Sequence, residues 1–169
     1  MTTRERLLAH VETHPGVHVN ALGRELDLAT GQVQYHLKRL RDGGAVVADQ
    51  QYGRTHYFPP GYTDRERRTL ALARRETVRE LLLLLIECEE STAGDLTDEL
   101  GIARSTLSYH ADRLVEAELL EQRRGDHGRV RYALVEPTET LRLLEAIRPS
   151  LPDRLLDRFT RLVDDLLAG

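Results

Sequence analysis

The sequence predicts a mainly helical chain with small β-hairpins, an α+β protein of two similar units in tandem followed by C-terminal helices. Three observations predict it. One segment returns: "QYHLKRL" (Gln34–Leu40) is echoed by "SYHADRL" (Ser108–Leu114). Apolar residues within each copy recur at helical spacing. Each copy then runs into two short β segments around a glycine turn.

The repeat is dense enough to fix an alignment. Residues 20–41 laid over 94–115 without gaps match at Leu22/Leu96, Glu25/Glu99, Leu26/Leu100, Ala29/Ala103, Tyr35/Tyr109, His36/His110, Arg39/Arg113 and Leu40/Leu114. With one inserted residue, "YGRTHY" (Tyr52–Tyr57) matches "HGRVRY" (His127–Tyr132). Upstream, Leu7, Leu8 and Val11 correspond to Leu81, Leu82 and Leu85. Self-similarity at a fixed interval marks a duplicated structural unit.

Each copy yields the same series of elements. A first helix is expected over Arg4–Glu12, or Glu76–Cys88, ending at "HPG" or "EES". A short second helix, Asn20–Leu26 or Gly94–Leu100, carries two leucines one turn apart. A tight turn, "DLAT" or "GIAR", leads to a third helix over Gly31–Asp42 or Ser105–Ala117. Two β segments follow, Val46–Asp49 with Arg54–Phe58 and Leu120–Arg123 with Arg129–Leu134. In the last of these, alternation sets Val130, Tyr132 and Leu134 on one side and Arg129 and Arg131 on the other. "FPPGYTD" (Phe58–Asp64) breaks the chain, and Thr63 or Asp64 suits a helix N-cap. The expected division is residues 1–60, a helical linker 61–75, residues 76–136, and a helical tail 137–169.

Composition narrows the class. A chain of 169 residues, 40% hydrophobic and 31% charged, suits two small folded domains and not a disordered segment. The longest apolar run, Leu81–Ile86, is far short of the ~20 residues a bilayer requires. The start "MTTRERLLAH" has no apolar signal core, so a cytoplasmic place is expected. The single cysteine, Cys88, excludes an internal disulfide and is expected to pack as a small side chain. Net charge is −4, unevenly spread. Up to Pro60, 7 Lys+Arg face 6 Asp+Glu; from Gly61 to Glu136, 12 face 16. One lysine, Lys38, stands against 23 arginines, which resembles halophilic archaeal compositions.

Three helices followed by a hairpin form a winged helix-turn-helix. "GQVQYHLKRLRDGG" and "RSTLSYHADRLVEAELL" resemble the recognition helices of winged-helix transcription regulators of the ArsR/MarR type, which are common in archaea. The resemblance covers about 130 residues in tandem. It implies a sequence-specific regulator of double-stranded DNA, with the third helix in the major groove and dimerisation through terminal helices. One departure stands out. Gly44 follows the first third helix, where a left-handed residue is favoured, but Glu118 follows the second.

Helical geometry chooses the reading face. Val33, Leu37 and Leu40 form the buried stripe of the first copy. Gln32, Gln34, Tyr35, Lys38 and Arg39 are then left for DNA, with Gly31 allowing close backbone approach. Glutamine pairs with adenine, and arginine or lysine with guanine. The second copy offers Ser105, Thr106, Ser108, Tyr109 and Arg113, but Asp112 stands where Lys38 did. Its wing is richer: Arg123, Arg124, Arg129 and Arg131, against Arg54 and His56 in the first. His36 and His110 are expected to pack beneath the wings. His10 and His14 share a helix face, but no cysteine or carboxylate cluster beside them completes a metal site, so no metal and no cofactor is expected. In the tail, Leu155, Phe159, Leu162 and Leu166 are spaced as a coiled-coil-like seam and are expected to join two chains as a homodimer. A protein-interaction scaffold of tandem winged helices, as in chromosome-condensation accessory subunits, and a non-specific architectural DNA binder are the alternatives. With no phosphate loop, metal quartet or nucleophile–base arrangement, no enzyme is expected.

Overall fold

The computed structural model describes residues 1–148 and 153–167, without the side chains of Asp153 and Arg154. It divides into two compact units. The first is Met1–Arg74 with a short segment from Ala146, and the second is Arg75–Glu145 with the C-terminal helix. Among the described residues, no helix is long and apolar enough to cross a membrane.

The first unit opens with α1 (Thr3–Thr13). Thr2 caps it: its hydroxyl accepts from the Glu5 N–H, and the Glu5 carboxylate accepts from the Thr2 N–H at 2.7 Å. Then come β1 (Val17–His18), α2 (Val19–Leu26), α3 (Thr30–Asp42), β2 (Val47–Gln51), β3 (Arg54–Phe58) and α4 (Asp64–Ala73). Leu7 and Val11 of α1, Leu22 of α2 and Val33, Leu37 and Leu40 of α3 close one core with Val17, Val46 and Tyr57. Burying each such leucine contributes about 1.5–3 kcal/mol, so this stripe outweighs any single cap or turn in holding the helices. The strands pair antiparallel in the order β1-β3-β2. Tyr52 and Gly53, with φ of 52° and 81°, form the two-residue turn between β2 and β3.

The second unit repeats the plan with α5 (Glu76–Cys88), β4 (Glu90–Thr92), α6 (Ala93–Leu100), α7 (Arg104–Glu116), β5 (Leu120–Arg124) and β6 (Val130–Leu134). Its sheet runs β4-β6-β5, and a single 3-10 turn (Asp126–Gly128) lengthens the wing tip. Leu107, Ala111 and Leu114 are the buried stripe of α7. Two further helices follow, α8 (Pro137–Ala146) and α9 (Asp153–Leu167).

The two third helices end alike. In the first, the Gly44 N–H donates to the Arg41 carbonyl and the Ala45 N–H to the Leu40 carbonyl; in the second, Glu118 donates to Val115 and Leu119 to Leu114. The residue in the left-handed position is Gly44 (φ 76°) in one and Glu118 (φ 62°) in the other. The second copy therefore keeps the turn and bears the strain, about 1 kcal/mol.

Several expectations are corrected. Cys88 is exposed at the C-terminal end of α5 and does not pack in the core. Each sheet has a third strand, β1 or β4, that sequence alternation did not reveal. Val130 is exposed because the wing tip projects past the core, so the alternation expected in β6 fails there. The segment expected as a linker bonds into the first unit through Arg67 and Arg74. Arg67 donates to Asp49 (2.7 Å), to the Tyr62 carbonyl (2.6 Å) and to Asp64; Arg74 donates to the Pro15 carbonyl (2.6 Å).

The tail corrects the dimer seam. Leu155, Phe159 and Leu162 are buried within the second unit, where α9 packs against α5. Arg158 binds the Glu87 carboxylate of α5 through both Nε (2.6 Å) and Nη2. Of the expected seam only Leu166 is exposed, at 46%. A wide apolar stripe needs cover, and here the chain's own helix supplies it.

Candidate nucleic-acid interface

The polar face of α3 follows from its buried one. With Val33, Leu37 and Leu40 turned inward, Gln32, Gln34, Tyr35, Lys38 and Arg39 are all exposed. Tyr35 is 55% exposed. Its ring lies under the Arg39 guanidinium, 5.5 Å from ring centroid to Cζ, and meets His36 edge-on at 5.1 Å. A Cβ on Gly31 would meet nothing within 4 Å, so the backbone there is open to close approach. Gln32 has another task. Its Oε1 accepts from the Ala29 N–H at 3.2 Å and so caps its own helix. That acceptor is occupied, which makes Gln34 the better placed amide for base contact.

The second copy preserves the geometry and changes the charge. Ser105, Ser108, Tyr109 and Asp112 are exposed on α7, while Thr106 and Arg113 are half-buried. Arg113 sits over the Tyr109 ring at 4.3 Å, and His110 meets that ring edge-on at 5.2 Å. The tyrosine–arginine–histidine arrangement therefore recurs intact in both units. Burial first, then the Arg75 and Arg113 charges, push the His110 pKa down, which keeps that imidazole neutral. His36 and His110 each keep a buried Nδ1 without a hydrogen-bond partner. Both rings are half-buried beside the tyrosines.

The wings divide into engaged and available groups. Arg123 pairs with Glu121 and lies 3.6 Å from Glu90, and Arg131 lies 3.8 Å from the same Glu90. Arg124 and Arg129 are exposed and carry no ion pair among the described residues. In the first wing Arg54 is exposed, with Nη1 3.4 Å from His18 Nε2. His56 is not at the surface. It is 5% exposed, and its Nδ1–H donates to the Gly16 carbonyl at 2.6 Å. Its place as a wing contact is corrected, because β3 carries it inward to bind β1's approach.

A cleft opens between each wing and the start of the second helix. In the first unit it holds about 190 Å³ and is lined by His18, Val19, Asn20, Arg54 and Thr55. In the second it holds about 400 Å³, lined by Thr92, Ala93, Gly94, Arg104, Arg129 and Val130. Helix N-terminal N–H groups and a wing arginine converge there, a combination suited to a phosphate. Arg104 was missed by sequence reasoning. It opens α7, and its position in the first turn of a third helix was the available signal.

Two units of three helices and a winged hairpin, each exposing the polar face of its third helix, define a tandem winged helix-turn-helix protein. Residues 1–70 match the HTH_HVO_0163_N family, described as an N-terminal HTH domain, and residues 75–122 match the family described as bacterial regulatory protein, arsR family. The chain thus matches two helix-turn-helix family models in tandem, the second that of the arsR family of bacterial regulatory proteins. Among curated proteins, none matches the sequence. Solved structures similar to it include the DIP2311 protein from Corynebacterium diphtheriae (22% identity, TM-score 0.32, 78% of this chain and 26% of that one). A chain of the endosomal complex ESCRT-II (VPS22/VPS25/VPS36) is similar at 15% identity and TM-score 0.32, over 80% of this chain and 60% of that one. Lactococcus lactis ZitR, as a C30AH42A mutant, is similar at 16% identity and TM-score 0.35, over 87% and 96%. The chain spans about a quarter of the first of these and three-fifths of the second.

Proposed function

We propose that this protein is a sequence-specific regulator of transcription that binds double-stranded DNA by occupancy and not by catalysis. In this reading α3 and α7 enter the major groove. Arg124, Arg129 and Arg54 meet phosphates or a narrow minor groove from the wings. The observation that carries it is the duplicated exposed face: a tyrosine at least half exposed beside an arginine on each third helix, with the apolar stripe fully buried behind it. Gln34 and Lys38 make the first copy the main reader. Asp112 lowers the attraction of the second for DNA, and its wing arginines compensate. A homodimer belongs to the same reading. With Leu155, Phe159 and Leu162 buried inside the unit, the remaining apolar surface of α9 for a second copy is Leu166 with half-buried Leu156, Val163 and Leu167.

The test is competition binding by fluorescence anisotropy, using duplex from the promoter of the protein's own gene against a scrambled duplex of equal length. The reading predicts at least about a thousandfold preference, the lower end of the range that separates specific from non-specific binding. Equal affinity for both duplexes would mean an architectural binder. No affinity for either would leave a protein partner as the ligand of these faces.

A further inference from the structure

One cluster of side chains lies away from the polar face of α3. His10 and His14 stand one turn apart on α1, and their rings stack with centroids 4.0 Å apart and planes 6° from parallel. Across from them α2 presents Glu25, whose Oε2 is 2.6 Å from His10 Nε2. One donor atom from each of the three residues lies within 4.8 Å of the others. The sequence placed the two imidazoles on one face; only the packing of α2 on α1 adds the carboxylate.

A plain ion pair explains half of this arrangement. His10 and Glu25 satisfy each other, but the pair gives no reason for a second imidazole stacked face to face on the first. His14 is oriented from behind. Its Nδ1 lies 2.8 Å from the Thr13 hydroxyl and 3.2 Å from the His10 carbonyl oxygen. Such outer contacts fix the ring of a ligating histidine.

The geometry points to a site for a divalent transition-metal cation of the zinc class, held by His10, His14 and Glu25. Two imidazoles and a carboxylate are borderline nitrogen and oxygen donors, which select Zn²⁺, Co²⁺, Ni²⁺ or Cu²⁺ over the all-oxygen preference of Mg²⁺ and Ca²⁺. Metal–ligand bonds of about 2.0–2.2 Å place donors of a tetrahedral site roughly 3.3 Å apart. His10 is largely covered, while the Glu25 side chain is 41% exposed, so the ion has an entry path. Three protein donors leave a fourth position for water, the pattern of an exchangeable site. The bound ion would cross-link α1 to α2, the helix that leads directly into α3. The site stands on its own residues and holds whether or not the DNA reading does.

The experiment titrates Co²⁺ into the full-length, chelator-stripped protein and follows visible d–d absorption, then displaces it with Zn²⁺ under calorimetry. The expected result is a single equivalent per chain with tetrahedral Co²⁺ bands. His14→Gln and Glu25→Gln should weaken binding at least about tenfold. His127→Gln, in the wing of the second unit, should bind as the wild type does. Glu25→Gln retains a hydrogen-bonding partner for His10, and metal-free melting curves of both variants identify any loss of folding. If one variant melts early, the other decides. No stoichiometric uptake by the wild type, or undiminished affinity in a folded His14→Gln or Glu25→Gln variant, overturns the site.

Discussion

Replacing Asp112 with lysine tests why the second copy of the repeat differs from the first. Asp112 is exposed on α7, one turn beyond Ser108 and Tyr109, and it occupies the place of Lys38 on α3. A carboxylate about 6 Å from a phosphate, in solvent, is repelled by about 0.7 kcal/mol. Reversing its sign turns repulsion into an equal attraction, a change of about 1.4 kcal/mol or roughly tenfold in affinity. One added phosphate contact also steepens the dependence of log K on log salt by about 0.9. The gain should therefore shrink about threefold between 50 and 200 mM salt. Anisotropy with promoter duplex across that range measures both quantities. The side chain is exposed, so folding stability should move by less than about 0.5 kcal/mol, and a melting curve confirms it. An affinity and salt slope unchanged by Asp112→Lys would refute the placement of α7 against DNA.

Three further outcomes follow from the structure. Glu118→Gly relieves a left-handed non-glycine residue and should stabilise the protein by about 1 kcal/mol, whereas Gly44→Ala, whose new Cβ meets nothing within 4 Å, should cost about the same through backbone strain alone; urea unfolding measures both, and a harmless Gly44→Ala would contradict it. Phe159→Ala should destabilise by about 3–5 kcal/mol independently of protein concentration, because α9 is covered by its own chain; a loss that varies with concentration would return that face to a partner. His18 and His110 both have folded pKa values below the ordinary 6.5, chiefly through burial. The unfolded chain thus binds more protons in that window, and stability present above pH 6.5 is lost as pH falls through the folded values. The urea midpoint should drop from pH 7 to pH 5, less steeply in His110→Gln, and a flat profile would count against the burial of these rings.

The helical frame was legible because its signal is long. Val33, Leu37 and Leu40 repeat over about two turns, and Leu107, Ala111 and Leu114 repeat them again, so the exposed faces followed by subtraction. The Thr63 cap and the left-handed Glu118 were equally readable, since each is a local rule applied to one residue. Strands β1 and β4 were not, because two or three residues are too few to alternate. His56 illustrates a different failure. Its neighbours Tyr57 and Phe58 are also buried, so β3 is covered on both faces at that end, whereas the histidine was read as a wing contact from its place beside the turn. Gln32 looked like a base reader because composition cannot show a side chain folding back on its own helix end. Glu25 and the seam of α9 were hidden for the same reason. Each depends on which helix packs against which, and spacing along a single helix does not carry that information.

The most direct measurement is methylation of guanine N7 by dimethyl sulfate on promoter DNA, since that atom lies in the major groove where α3 is placed. The wild type should protect guanines within a defined site, and Gln34→Ala with Lys38→Ala should abolish that protection while leaving the fold intact. Binding without N7 protection, or protection indifferent to the double substitution, would show that the polar face of α3 is not what meets the double helix.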